Sequence, residues 1–193
     1  MDIVQKAKEY CLDVVSSHED IFDLKSHIPE AEKWAKLILA DHPKANEEVV
    51  LLSVWLHDVS HYVGDRDSDH AVRSEKMARE FLAKEGYFAD KIEKVASCVR
   101  SHRCRDIQPE TVEGKIMACA DSASHMTDHC YIDVMHRGRF DYASGKIERD
   151  YRDVGLFPEV QAKLTPLYNC WKKLLEEYQK LGIANEKVVP YDC

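Results

Sequence analysis

The sequence is short of the residues that break helices. Only 7 glycines and 6 prolines occur among 193 residues, too few for the many tight turns of a sandwich or barrel. Valine and isoleucine fall mostly inside segments of helical period rather than in alternating runs, so an all-α chain is expected. Long apolar runs are missing too: nothing approaches the roughly 18 consecutive apolar residues of a membrane-spanning helix. The opening MDIVQKAKEY has no basic stretch followed by an apolar one, which argues against a secretory leader. No two cysteines are spaced as CxxC, and the seven, at 11, 98, 104, 119, 130, 170 and 193, are odd in number. Most lie within helical patterns as small apolar residues, so a reduced, cytoplasmic protein is expected. Positive charge is not in excess either, the formal net charge being −8. An acidic chain is a poor partner for a nucleic-acid duplex. Phosphate in a substrate would have to be met by a metal or a local cluster of Lys and Arg. Repeats and low-complexity tracts are absent, and the length suits a single domain.

What is present is a series of amphipathic helical stretches. The first, about 2–16, places Ile3, Ala7, Cys11, Val14 and Val15 on one stripe. A second is predicted from near Pro29, at a first-turn position, with Ala31, Trp34, Ala35 and Ile38 inward. Asn46 is a good N-cap for a third, VVLLSVWLHDV, which is apolar nearly all round and therefore central. After a polar loop, helices are predicted over about 69–85, then 91–102 with Asp90 as its cap, and then from Pro109 onward. Beyond that the pattern predicts a helix near 127–137, a looser stretch rich in Arg and Asp, and a long helix over about 158–181. Gly182 would end this last helix, and Pro166 should bend or divide it.

The chemistry is carried by where His and Asp fall. His57 and Asp58 close the most apolar helix in the chain. A buried carboxylate without a partner tends to protonate, so it calls for a cation or several donors. An imidazole beside a carboxylate suits a divalent transition metal. His27, His70, His102 and Asp121 each lie at the edge of a different predicted helix, so packing around the central one can bring them together. His18 competes with His27 for such a place, and His61 with His70. For phosphate, the candidates are Lys115, six residues before Asp121, and Arg73, Arg100, Arg103 and Arg105.

The order H…HD…H…H…D, with the segments LLSVWLHDVSHYVGD, DHAVRSEKMAREFL, VASCVRSHR and PETVEGKIMACAD, resembles the HD superfamily of phosphohydrolases over roughly residues 20–128. The resemblance implies an all-α HD-domain helical bundle, a single domain with a C-terminal helical extension over about 129–193. It implies that His27, His57, Asp58 and Asp121 bind one metal. His70 and His102 would hold a second, with Asp58 bridging. The metal would be Mn, Fe, Co, Ni or Zn, one ion or two. The implied function is a metal-dependent phosphohydrolase of a small phosphate ester, a nucleotide above all, using a metal-activated water. Asp58, His61 and Asp65 are its catalytic candidates, His61 or Asp65 taking up the proton, and Lys115, Arg103 and Arg73 its substrate contacts. Two positions depart from the family pattern. SASH follows Asp121 where many relatives continue Arg-Leu-Asp, and His61 stands where some branches place Glu or Lys. Two other readings use the same residues: an HD-type di-iron oxygenase, and a non-catalytic nucleotide-binding regulatory module. A homo-oligomer is compatible with the sequence.

Overall fold

The structure is a computed structural model that describes residues 2–63 and 68–181. The described residues are helical, with no strand among them. In order they form α1 (Ile3–Ser16), α2 (Leu24–Asp41), α3 (Glu47–Leu56), a 3-10 turn (Val59–His61), α4 (His70–Lys84), α5 (Ala89–Ser101), α6 (Val112–Thr127), α7 (Cys130–His136), α8 (Phe140–Asp153), a second 3-10 turn (Val154–Leu156) and α9 (Pro158–Lys180). No helix among the described residues is long and apolar enough to cross a membrane. The chain divides into two compact units, 1–121 and 122–193, and α6 runs through the boundary.

In the first unit α3 is the centre. All of Val49–Leu56 is buried, and α1, α2, α4 and α5 pack against this short helix. Asn46 caps it as predicted, its side chain accepting from Val49 N at 3.2 Å. The stripes that meet it are Ala7, Cys11 and Val15 of α1, Ala31, Ala35 and Ile38 of α2, and Val95 and Val99 of α5. Trp55 keeps its indole N–H satisfied by donating to Glu32 Oε2 at 2.7 Å.

Three starts differ from the sequence pattern. α5 begins at Ala89, so Asp90 lies in its first turn instead of capping it. α2 begins at Leu24, ahead of Pro29, and so takes His27 into its first turns. The cap comes from upstream: the Asp20 carboxylate accepts from Leu24 N and from Lys25 N, both at 2.9 Å. Asp23, the residue at the helix start, is left-handed (φ 54°), a conformation Asp tolerates better than most. α6 begins at Val112 rather than Pro109, because Thr111 Oγ1 accepts the Gly114 N–H at 3.1 Å and serves as its cap.

In the second unit the stretch expected to be irregular is helix α8, which buries Phe140, Ala143, Ile147 and Asp150 on one stripe. α9 continues through Pro166 without being divided. Tyr131 is fully buried, packed edge-on against Trp171 at 5.2 Å between ring centroids. Gly182 lies outside the described residues.

Candidate metal centre

α3 stops at Leu56, and the chain tightens at once into the 3-10 turn, closed by His61 N to Asp58 O at 3.0 Å. His57 and Asp58 are therefore presented at the end of the apolar helix, where His57 is 0 % exposed. Ser60 fixes the turn to α4: Ser60 Oγ donates to His70 O at 3.0 Å, and Ser74 Oγ lies 2.9 Å from Ser60 Oγ. His70 opens α4, capped by Asp69, which accepts from Ala71 N at 2.8 Å. His102 closes α5, and Asp121 lies on α6.

These side chains meet in one buried cluster of the first unit. Ligand atoms of His27, His57 and Asp121 all lie within 4.8 Å of one another, as do those of Asp58, His61 and His70. In the first group His27 Nε2 is 3.3 Å from His57 Nε2, and Asp121 Oδ1 is 3.1 Å from His27 Nε2 and 3.5 Å from His57 Nε2. His102 adjoins the second on the His70 side, its Nε2 3.3 Å from His70 Nε2. Asp58 faces both groups. Its Oδ2 is 3.4 Å from His57 Nε2, while its Oδ1 is 3.4 Å from His61 Nε2, 3.4 Å from His70 Nε2 and 3.8 Å from His102 Nε2.

The donor chemistry fits a divalent metal. His57 Nδ1 lies 2.7 Å from Val54 O, and His102 Nδ1 lies 2.6 Å from Val99 O. A carbonyl only accepts, so each Nδ1–H donates and Nε2 is left facing the cluster, the arrangement typical of metal-binding histidines. Asp58 Oδ1 is buried and accepts no hydrogen bond, a costly state that a cation would relieve. Burial pushes His70 down to about 2, which keeps its nitrogen lone pair available at neutral pH. Burial, followed by the charge of His57, likewise lowers His102. For Asp58, burial favours the neutral acid, but His57 and His61 outweigh it and hold the carboxyl well below its usual range.

His27, His57, Asp58, His61, His70, His102 and Asp121 are thus brought together, whereas His18 is exposed and stacks on Tyr62. Arg103 forms an ion pair with Asp69, and Arg100 pairs with Asp106. Arg73 donates to Ser68 O, and Lys115 is half-buried on α6. Asp65 lies outside the described residues.

The sequence pattern missed the loop ahead of α2. Tyr62 OH donates to the same Asp20 carboxylate that caps α2, and Phe22 N donates to Tyr62 OH at 3.0 Å. Phe22 lies against His61, 4.5 Å between ring centroids. The only available signal was an aromatic pair, Phe22 and Tyr62, each within five residues of a candidate ligand.

A family model described as HD domain matches residues 26–126, just over half of the chain. That span runs from the residue before His27 to five residues beyond Asp121. Comparison with curated proteins and with solved structures gave no match.

Proposed function

This chain belongs to the HD domain family, and on that premise we propose that it is a metal-dependent phosphohydrolase acting on a small phosphate ester, with a nucleotide as the favoured class. The observation that carries this reading is the Asp58 carboxylate, which turns one oxygen towards each of two imidazole groups while Oδ1 accepts no hydrogen bond. In this reading His27, His57, Asp58 and Asp121 hold one divalent transition metal (Mn, Fe, Co, Ni or Zn). His70 and His102 would hold a second, with Asp58 contributing to both sites. When bound, such a metal makes a coordinated water a competent nucleophile near neutral pH and polarises a phosphoryl oxygen.

The protein's own groups do the positioning. Backbone carbonyls of Val54 and Val99 orient His57 and His102. Burial of the cluster excludes bulk water and strengthens each charge interaction. Arg73, Lys115 and Arg103 are assigned to the substrate's phosphate, Arg103 being held beside His70 by Asp69.

The test is elemental analysis of protein purified without chelator, wild type against Asp58→Ala, alongside hydrolysis of a panel of phosphate esters and nucleotides. Two metals per chain with phosphate release, both lost in the variant, are the expected result. Iron with O₂ uptake on an organic substrate and no phosphate release would replace hydrolase by oxygenase. No metal after reconstitution with Mn or Co would leave a nucleotide-binding regulatory module as the better reading.

A further inference from the structure

His61 is the member of the cluster that the family pattern does not make a ligand. We infer that His61 is the fourth donor of the second metal position, completing a set of Asp58 Oδ1, His61, His70 and His102. The inference rests on the two-metal reading above.

Local geometry puts His61 there. In an α-helix His61 would stack over His57, four residues earlier. In a 3-10 turn residues i and i+3 eclipse, so His61 comes over Asp58. Its Nε2 lies 3.4 Å from Asp58 Oδ1, the same distance as His70 Nε2. That gap exceeds the 2.7–3.2 Å of an ordinary N–H···O bond, and Oδ1 accepts none. Donors about 2.1 Å from a tetrahedral cation lie roughly 3.4 Å apart. The gaps from Oδ1 to His61, His70 and His102 and from His70 to His102 run from 3.3 to 3.8 Å, and the donors of Asp58, His61 and His70 all lie within 4.8 Å of one another, a group that His102 adjoins on the His70 side.

The ring is also held as a ligand must be. Phe22 lies against one side at 4.5 Å between centroids, and His70 stacks on it at 4.4 Å. His61 is 8 % exposed. A proton-transfer group has to face the proton it takes, whereas Nε2 of His61 already faces Asp58. The two metal positions then differ chemically. The first has two imidazoles and two carboxylates, the second three imidazoles and one carboxylate oxygen. The nitrogen-rich second position would prefer Zn, Co or Ni over Mn.

Three proteins test this: wild type, His61→Ala and His61→Cys, each titrated with Co(II) and assayed for metal per chain by elemental analysis. The expected result is two equivalents in wild type. His61→Ala should lose the second, its affinity falling at least about 100-fold while the first is kept. His61→Cys should recover the second equivalent and gain a thiolate-to-cobalt absorption band in the near ultraviolet that wild type lacks. That band reports direct ligation and requires no activity. Two undiminished equivalents in His61→Ala, with no new band in His61→Cys, would overturn the inference and leave the two-metal reading standing. A single equivalent in wild type would overturn both.

Discussion

The first unit and the second each bury a cluster of titratable side chains, and the clusters are built on opposite plans. In the second unit Asp150 on α8 accepts from Tyr131 OH at 2.8 Å. Lys146 Nζ lies 3.4 Å from it and His125 Nδ1 3.6 Å, with Lys146 Nζ 3.1 Å from His125 Nδ1. Donors surround that carboxylate, and an ammonium group balances its charge. Asp58 has imidazole nitrogens around it, two of them fixed with Nδ1–H donating outward to backbone carbonyls, and its Oδ1 goes without a hydrogen bond. Burial of a carboxylate therefore does not distinguish a metal centre from a structural network. What distinguishes them is reach: Tyr131 bonds Asp150 at 2.8 Å, whereas the nitrogens around Asp58 Oδ1 stand 3.4 to 3.8 Å away and leave that oxygen without a hydrogen bond.

Exchanging roles should break the contrast most visibly at Asp58. Asp58→Ala should lower phosphate release by roughly a thousandfold, a loss of about 4 kcal/mol of transition-state stabilisation, and elemental analysis should find the metal gone. The opposite pattern is expected at Asp150→Ala, which strands Lys146 and Tyr131 in a buried setting. Urea denaturation should show a loss of about 3 kcal/mol, with metal content unchanged. A loss of metal in that variant would erase the distinction.

A finer test concerns the tie between the ends of α4 and α5. Arg103 pairs with Asp69, the cap of the helix that His70 opens, and Arg103 itself follows His102. Arg103→Gln should weaken the second metal equivalent about tenfold, as loss of a supporting contact does, without shifting the first. Isothermal titration would read both.

The smallest expected effect separates metal-linked from ordinary acid sensitivity. Burial raises the Glu32 carboxyl, but Lys36, Lys8 and Trp55 donate to it and leave it below its ordinary value of 4.5. The stability it contributes is complete above that value and is lost as pH falls through the lower folded one. Glu32→Gln should therefore flatten the acid limb of metal-free protein by about 1 kcal/mol, measured by thermal melts between neutral and acid pH.

Much of the first unit was legible because α3 is so apolar. VVLLSVWL could only be central, and the residues closing it had to be accounted for. His27, His70, His102 and Asp121 followed from the edges of the neighbouring stripes together with the family resemblance. Other features lay beyond periodicity. The start of α2 was hidden because its capping carboxylate, Asp20, reaches it from across a loop. α8 was hidden because Asp150 occupies its buried stripe, and a charged residue there looks like a solvated one until Tyr131 is seen to meet it. In an unbroken α-helix His61 would stand over His57. The tightening after Leu56 pairs it with Asp58 instead.

The Asp20 carboxylate caps the helix that carries His27 and also receives the hydroxyl of Tyr62, the neighbour of His61. One side chain thus fastens two segments some forty residues apart in the chain, each bearing a candidate ligand. A metal could not be let go by fraying one segment alone, because loosening either pulls on the same knot. Loading and release should then follow the slow opening of the whole first unit, and amide hydrogen exchange around His27 and His61 should slow together when metal is added.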